Sequence, residues 1–321
     1  MTTTANQLPT FNAASTAEEV VDALASEIQG KNVLVTGTSV GGIGFETARA
    51  IAKLRLSKEA IQNEFPATEV RTLELDLSSL AAVRKAAAEV NAYPESIHVV
   101  INNAAATETV HGLTVDNLEI QMASGHIAPF LFTKLIFSKL LASADAAQGW
   151  TPRVVFVSSI QHNAGDGVPL EKEEFMRGNG GPDPNPAVRM FARYGAVKSA
   201  NVLTAREMAR RGGSKVRAYS LHPGAIITNA FSKGFKDALQ QVGVIDHEGN
   251  PGTVVSFKTI PQGAATTVVA AFDPRIANHS GAYLEDGVLA EHNVAPHSAD
   301  TRRAKKLWEL TEEVIDEKFD L

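Results

Sequence analysis

Residues 33–44 read VLVTGTSVGGIG, a short β-branched run that passes through a glycine-rich turn into the helix-forming segment FETARAIA. Glycines in such a turn let the backbone bend sharply and approach a diphosphate, whose charge would lie on the amides at the positive end of the helix. A glycine-rich turn alone is weak evidence, because many such turns are purely structural. Its position between a strand and a helix favours dinucleotide binding.

Strand-like and helical segments alternate on the C-terminal side of this turn. Four more apolar runs resemble the first strand: HVVINN near 98, RVVFVSS near 153, VRAYSL near 216 and GAYL near 281. Segments with helical periodicity lie at about 43–54, 79–92, 115–142, 190–212 and 262–271. The runs are apolar nearly throughout, as in strands covered on both faces. This alternation predicts an α/β fold, a three-layer αβα Rossmann-type doubly wound parallel sheet.

The predicted domain organisation has two parts. Residues 1–30 form an N-terminal extension with one helix, for which capping boxes starting at Ser15 or Thr16 offer the N-terminus. Residues 31–321 form a single Rossmann-type domain. Two long inserts interrupt this domain, at about 161–187 and 232–261, and the first is rich in Gly, Pro, Asp and Asn. Both inserts are expected to contact substrate.

Composition narrows the class of partner. The chain has 321 residues, 44% apolar and 21% charged, with a net charge of −6. A negative surface repels nucleic acid and anionic membranes, so a small-molecule substrate is favoured. The absence of cysteine excludes disulfides and thiolate catalysis.

Neither the N-terminal sequence nor the most apolar window suggests a membrane or secretory protein. The first residues lack a basic start and an apolar stretch. The window Ile127 to Leu141 is interrupted by Lys134 and Lys139 and is too short to cross a bilayer. We therefore expect a cytoplasmic protein with no membrane span.

The segment YGAVK at 194–198 carries the strongest chemical signal. Tyr194 and Lys198 share one face of a helix, so that an ammonium beside the phenol should lower a pKa that is ordinarily near ~10. Such a pair occurs often by chance, usually as a surface contact. Its companions here are Ser158-Ser159 at the end of a strand upstream and Pro223-Gly224 with Thr228 downstream.

These motifs, in this order, resemble those of the short-chain dehydrogenase/reductase family over about residues 31–290. The glycine turn resembles the family's TGxxxGxG with one extra residue, so that Gly41 or Gly42 can be its middle glycine. The phrases YGAVKSANVL, SLHPGAIIT and HSGAYLED are most similar to retinol-dehydrogenase-like members and their fungal relatives. The resemblance implies an NAD(P)-dependent oxidoreductase.

The resemblance also implies roles for individual residues. Tyr194 would be the general acid/base, Lys198 would hold the nicotinamide ribose, and Ser159 would bind the substrate oxygen. The implied cofactor-binding residues are Gly37, Thr38, Ser39, Gly42, Ile43, Gly44, Arg55, Asp76, Leu77, Asn103, Ala104, Ala105, Tyr194, Lys198, Pro223, Gly224 and Thr228. The alternative interpretation of Asp76 is a helix cap before Ser78.

Gly125 is the first departure from the family pattern. The family's fourth catalytic member is an asparagine in a Q-x-x-x-N-H context, and this chain reads Gln121-Met-Ala-Ser-Gly125-His126. The resemblance assigns a relay water to the backbone carbonyl at this helix kink. Glycine retains that carbonyl, so Gly125 is kept as the fourth catalytic residue.

The second departure is a shortage of chain after the glycine turn. The next strand-like run is VRTLEL, which begins at Val70. Residues 38–69 would therefore have to supply two crossover helices and a strand, which need on the order of 40 residues. We therefore predict that the second strand is missing or vestigial. In the family this strand carries the residue that selects NAD or NADP. Arg55 resembles the arginine that binds a 2′-phosphate, which favours NADP over NAD, although a solvated helix-end cation is an equal alternative.

The preferred function is hydride transfer on a ketone, aldehyde or secondary alcohol of a lipophilic small molecule. The main alternative is a degenerate family member that serves as a non-catalytic scaffold, and an epimerase or dehydratase is a weaker one. The helices at about 115–142 and 190–212 are apolar on more than one face, so they should be buried on both sides; the apolar side chains include Phe130, Phe132, Leu135, Ile136 and Leu140. The resemblance implies that these two helices form a dimer interface, so a homodimer or higher oligomer is expected; the alternative is that a terminal helix covers them in a monomer. No metal site is predicted, and Glu285 and Asp286 are placed in a solvent-facing turn outside the site.

Overall fold

The computed structural model describes residues 8–62, 71–106, 108, 110–146, 150–228, 236–241, 243–248, 250, 252 and 255–321, with side chains described except at 53–62, 145–146 and 236–238. Its strands are β1 (Val33–Val35), β2 (Val99–Asn102), β3 (Arg153–Val157), β4 (Arg217–His222), β5 (Ala225–Ile226), β6 (Phe257–Lys258), β7 (Tyr283–Glu285) and β8 (Val288–Leu289). Its helices are α1 (Ala17–Ala23), α2 (Ala25–Ile28), α3 (Ile43–Gln62), α4 (Leu80–Ala92), α5 (Ile120–Met122), α6 (Ala128–Leu135), α7 (Phe137–Ala146), α8 (Lys172–Arg177), α9 (Pro186–Gly212), α10 (Lys236–Gln241), α11 (Ile260–Phe272), α12 (Pro296–Ala299) and α13 (Thr301–Ile315).

The central sheet has the order β1-β2-β3-β4-β7-β8, and its first five strands are parallel. Successive residues along a strand point their side chains to opposite faces of the sheet, so residues that are paired across the strands form a row on one face. One row packs into a core with α4, α6, α9 and α13, and consists of Leu34, Val100, Val154 and Ala218. The next row packs into a core with α1, α3 and α11, and consists of Val35, Ile101, Val155 and Tyr219. The predicted three-layer αβα class is therefore confirmed.

The region after the glycine turn contains one long helix. α3 runs without a break from Ile43 to Gln62, and the described residues hold no strand between β1 and β2. The sequence VRTLEL is expected to form a strand. This prediction is wrong for the described part of the segment, because residues 71–76 carry no regular secondary structure. Leu73 and Leu75 still pack on the core as alternate residues of a strand would. A strand needs a hydrogen-bonding neighbour, and the described residues offer none at this edge.

The predicted helix at 115–142 begins late and is interrupted twice. α5 starts only at Ile120, a π-helical turn spans Ala123–Ile127, and the chain bends at Ile136 before α7. π-helical turns inside helices concentrate at functional sites. In the described part of the chain no single helix is long and apolar enough to cross a membrane; only the bent pair Ile120–Leu135 and Phe137–Ala144 passes that test, on length and composition alone.

The C-terminal helix covers the helix faces that suggested a homodimer. α13 packs on α9, and Trp308 lies edge-on to Phe130 at 4.7 Å between ring centroids. Phe319 lies edge-on to Phe130 at 5.4 Å and to Phe137 at 5.2 Å. The other apolar side chains behind the dimer prediction, apart from the half-buried Leu135, are fully buried within the chain: Phe132, Ile136 and Leu140. Their apolar character therefore no longer argues for a dimer.

The N-terminal helix begins where a capping box predicts it. Thr16 accepts a hydrogen bond from the Glu19 amide, and the Glu19 carboxylate accepts one from the Thr16 amide. The helix breaks at Leu24, so the predicted single helix is two, α1 and α2.

Candidate active site

A cleft of about 1070 Å³ opens at the carboxyl ends of the parallel strands. Each strand from β1 to β4 contributes a residue just beyond its end: Gly37, Asn103, Ser159 and Pro223 all line the cleft. Parallel α/β sheets place their ligand sites at this edge, because the turns that follow the strands converge there. The fold thus brings together most of the residues singled out in the sequence.

The glycine turn fits the interpretation as a diphosphate loop. Gly37 has a φ of +70°, and a Cβ there would lie 2.7 Å from the Cα of Ala104. Gly41 takes the left-handed conformation with a φ of +80°, whereas Gly42 lines the cleft together with Ser39 and Ile43. Of the two candidates for the middle glycine, Gly42 is therefore the one that borders the cleft.

Two predicted cofactor residues of this turn lie outside the cleft lining. A Cβ on Gly44 would meet Asn103 Nδ2 at 2.3 Å, so this glycine is needed where helix α3 packs against the end of β2. Thr38 is exposed and also does not line the cleft.

The turn is tied to the end of β2 by side-chain hydrogen bonds. The hydroxyl of Thr36 accepts from the amides of Asn103 and Ala104, both at 3.1 Å. Asn103 Nδ2 donates to the carbonyls of Thr36 at 2.9 Å and Gly37 at 3.1 Å. Asn103, Ala104 and Ala105 all line the cleft. The free amides at the start of α3 and the small residues around them therefore fit a dinucleotide diphosphate.

A smaller cavity of about 250 Å³ adjoins Asp76 and Leu77. The Asp76 carboxylate accepts from the amide of Ser78 at 2.9 Å and from its hydroxyl at 2.6 Å, which lowers the pKa of Asp76. Its interpretation as a helix cap is wrong, because Ser79 caps α4 by accepting from Ala82. The side chain of Arg55 lies outside the described residues, so the preference for NADP stays a prediction.

Ser159 and Tyr194 meet in the cleft, where their hydroxyls are hydrogen-bonded to each other. Ser159 caps the 3₁₀ turn that follows β3, accepting from the amide of Gln161 at 3.2 Å. Gly195 lets α9 approach this turn, since a Cβ there would lie 2.8 Å from the carbonyl oxygen of Gln161. His162 Nδ1 lies 2.7 Å from the Ser159 carbonyl oxygen and anchors the same turn.

Lys198 lies below the tyrosine, with only 3% of its surface exposed. Its ammonium donates to the carbonyl of Val157 at 2.8 Å and lies 5.2 Å from the centroid of the Tyr194 ring. Burial lowers the pKa of Lys198 to about 8 and raises the pKa of Tyr194 to about 12, with the Ser159 hydrogen bond opposing the latter shift. The expectation that the ammonium lowers the phenol pKa is therefore wrong for the protein alone, because desolvation of the phenolate outweighs it.

Gly125 is buried in the π-helical turn and does not border the cleft. A Cβ at this position would come within 2.4 Å of Val197 Cγ1, in the YGAVK segment of α9. Two helices thus approach closely where the family has asparagine.

The turn after β4 carries the predicted nicotinamide-binding residues. Pro223, Gly224 and Thr228 all line the cleft. Gly224 has a φ of +100°, and a Cβ there would lie 2.7 Å from Cδ of Lys258, whose ammonium pairs with Asp286.

Several residues of the cleft are not among those predicted from the sequence. Glu285 and Asp286 line it, so their placement outside the site is wrong. Pairing of β7 and β8 decides this, because it puts their connecting turn at the end of β4. No local sequence signal indicates such a position.

The far end of the cleft is apolar. It is formed by Phe191 of α9 with residues of the second insert: Leu239, Val244, Val255 and Phe257. The first insert contributes only Gln161 to the cleft. Of the two inserts predicted to contact substrate, 232–261 therefore forms the apolar end of the cleft, and 161–187 does not. Among the residues described, no cluster of His, Asp or Glu is arranged to hold a metal ion.

Known proteins are similar to this chain in sequence and in fold. Residues 31–168 match the family model described as short chain dehydrogenase. Short-chain dehydrogenase/reductase prx1 of Penicillium rubens is 33% identical over 312 residues, with 89% of this chain and 85% of the relative covered. Retinol dehydrogenase 12 of Homo sapiens is 29% identical, with 90% and 87% covered.

Solved structures share the fold. An uncharacterized protein from Mycobacterium paratuberculosis aligns with a TM-score of 0.61 and 25% identity over 99% of both chains. The NADPH-bound carbonyl reductase from chicken fatty liver aligns with a TM-score of 0.51 and 17% identity, with 81% of this chain and 98% of that chain covered. The chain belongs to the short-chain dehydrogenase/reductase family.

Proposed function

We propose that this protein is an NADP-dependent oxidoreductase that reduces a ketone or aldehyde, or oxidises a secondary alcohol, of a lipophilic small molecule. One observation carries the proposal: the hydrogen-bonded hydroxyls of Ser159 and Tyr194 lie in a cleft with a glycine turn at one side and an apolar end at the other.

In the proposed reaction the protein positions the substrate oxygen and moves one proton. Ser159 donates a hydrogen bond to that oxygen, and Tyr194 donates its proton to it during reduction or takes a proton from the alcohol during oxidation. Lys198 holds the nicotinamide ribose. The bound nicotinamide supplies or accepts the hydride.

The apolar end supports a lipophilic substrate. Phe191, Leu239, Val244 and Phe257 would remove the hydrocarbon of such a molecule from water, which is favourable by about 25 cal/mol for each Å² buried. The reacting carbonyl would then lie at the polar end of the substrate site, beside Ser159.

The test follows oxidation of NADPH spectroscopically with a panel of lipophilic ketones and aldehydes. Tyr194→Phe should reduce turnover by about 10²–10⁴-fold, the usual contribution of general acid–base catalysis, while leaving NADP binding intact. Tyr93→Phe is the matched control, because that tyrosine pairs with Glu89 away from the cleft. Full activity of Tyr194→Phe would refute the assignment.

The second candidate is a degenerate scaffold with impaired cofactor binding. Two observations favour it: Gly125 in place of the family's asparagine, and the absence of a strand between β1 and β2 in the described residues. Calorimetric titration of the protein with NADP and with NAD separates the candidates. Binding of either nucleotide rules out the cofactor-free form of the scaffold, whereas no binding and no turnover would support it.

A further inference from the structure

We propose that the N-terminal segment Phe11–Ala14 forms part of the dinucleotide-binding cleft and that its small residues Ala13 and Ala14 set the room available to the cofactor. This inference rests on the proposed function. It concerns residues that precede the first strand and that no sequence motif connects to the cofactor.

Ala13 and Ala14 line the same cleft as the start of α3. They are exposed, and they share this cleft with Gly42, Ile43 and Gln262. Gly42 and Ile43 belong to the turn and helix start that fit a dinucleotide diphosphate. The N-terminal segment borders the same cleft, and the ion pair of Glu18 with Arg49 ties the helix that follows it to α3.

The segment is fixed to the body of the protein. Phe11 is 4% exposed, and its Cβ would lie 2.9 Å from a Cβ at Gly287. The guanidinium of Arg275 lies 5.0 Å from the centroid of the Phe11 ring and donates to the carbonyl of Pro9 at 2.9 Å. This burial and cation–π contact anchor the chain immediately before Ala13.

The two alanines are also held by a local turn. Asn12 Oδ1 accepts from the amide of Ala14 at 2.9 Å, and the amide of Asn12 donates to the hydroxyl of Ser15 at 3.1 Å. Gln262 Nε2 reaches the carbonyl of Ala14 at 3.4 Å. The backbone at the cleft is thus held from both sides, so a larger side chain there could not simply swing away with the chain.

Helix α1, which follows the N-terminal segment, connects it to α3. Glu18 of α1 forms an ion pair with Arg49 at 2.8 Å, and Arg49 pairs at 2.6 Å with Glu46 in the first turn of α3. α1 also packs against α3 and α11. A ligand at the start of α3 and an ordered N-terminal segment should therefore stabilise each other, since such coupling is reciprocal.

The experiment compares Ala14→Phe with Thr10→Phe by calorimetric titration of the full-length protein with NADP and with NAD. Thr10 is exposed, lies immediately before the segment and does not line the cleft, so Thr10→Phe is the matched control. We expect Ala14→Phe to raise the Kd of the nucleotide that the wild type binds by about tenfold or more, equivalent to about 1.4 kcal/mol, and Thr10→Phe to leave it unchanged. Thermal unfolding of both variants should match the wild type, because both positions are exposed.

A second measurement does not depend on any substitution. Saturating nucleotide should slow proteolytic cleavage within residues 8–16 of the wild type. If the wild type binds nucleotide and Ala14→Phe binds it equally well, the inference is wrong and the proposed function stands. If the wild type binds neither nucleotide, the proposed function itself fails, and this inference fails with it.

Discussion

Gly125 of the π-helical turn lies against Val197 of α9 so closely that a Cβ at position 125 would come within 2.4 Å of Val197 Cγ1. The glycine is thus part of the packing between two helices. Loss of the family's asparagine and close approach of α9 go together, because the space that an asparagine side chain needs is already filled. Restoring the asparagine alone should therefore not restore the family's arrangement.

Gly125→Asn should destabilise the protein by about 1–3 kcal/mol, the usual cost of overpacking a core. Val197 is β-branched and has few alternative rotamers, so it cannot easily make room. Urea unfolding measures the free energy, and adding Val197→Ala to Gly125→Asn should recover part of the loss. A single variant as stable as the wild type would contradict the packing described here.

Breaking the buried ion pair next to Tyr194 should have a large effect on stability. Arg193 and Glu119 are 5% and 4% exposed, with Nε and Oε1 3.3 Å apart. Arg193 also donates to the carbonyls of Asn179 at 3.0 Å and Glu108 at 3.4 Å. Arg193→Met leaves a buried carboxylate unpaired, which costs about 3–5 kcal/mol.

Hydrogen exchange should show where that energy is lost. In Arg193→Met, exchange should accelerate around residues 108 and 176–180, which lose their anchor. Arg189→Met is the control, because it lies on the same helix, is half-buried and should change stability by no more than about 0.5 kcal/mol. Equal stabilities of the two variants would show that the ion pair has no structural role.

Stability should decrease as the pH falls below about 6.5. His126 is buried beside Thr311, with Nε2 and Oγ1 2.9 Å apart, and burial lowers its pKa to about 3. An unfolded histidine with a pKa near ~6.5 binds a proton that the folded His126 does not, so each pH unit between these values removes about 1.4 kcal/mol. His98 and His222, with pKa values lowered to about 4 by burial, act in the same direction.

His126→Gln isolates one part of this pH dependence. Between pH 7 and pH 5 the free energy of unfolding should fall by about 2 kcal/mol less in this variant than in the wild type. Urea titrations at the two pH values give the comparison. Equal decreases in the free energy of unfolding of both proteins would mean that His126 is not held neutral.

The rate of carbonyl reduction should decline above about pH 8. Burial lowers the pKa of Lys198 to about 8, so its ammonium is charged below that pH and is lost above it. Tyr194, whose pKa is raised to about 12, remains a proton donor throughout this range and does not cause the decline. The pH profile of kcat/KM reports groups of the free enzyme and is the appropriate measurement.

The variant Lys198→Arg tests whether Lys198 causes this decline in rate. Arginine stays charged well above pH 8, so whatever activity Lys198→Arg retains should show no decline near pH 8. An unchanged limb in this variant would assign the ionisation to another group.

The protein should be monomeric in solution. Trp308 is 1% exposed and packs on Phe130, and Arg211 stacks on its indole ring at 5.1 Å. Light scattering should give the mass of one chain, and Trp308→Ala should cost about 3–5 kcal/mol and promote association by loosening α13. A dimeric mass for the wild type would show that another surface mediates assembly.

Local patterns in the sequence determined the β-strands at 33, 99, 153, 217 and 283, the glycine turn, and the order of Ser159, Tyr194 and Lys198. These features depend on residues close together in the chain. A parallel sheet then brings the carboxyl ends of its strands to one edge, which places the residues that follow them near one another. The shortage of chain after the glycine turn likewise predicted that the family's second strand is missing or vestigial, and the described residues between β1 and β2 hold no strand.

Tertiary structure alone decided which distant residues join the cleft and how its groups ionise. Ala14 lines the cleft, and Asp286 pairs with Lys258, through contacts between segments far apart in the sequence. The segment at 71–76 has a strand-like pattern, but a strand also needs a neighbour, which the described fold does not provide. The pKa of Tyr194 depends on burial, which the spacing of Tyr194 and Lys198 cannot convey, because desolvation is set by everything that surrounds a group.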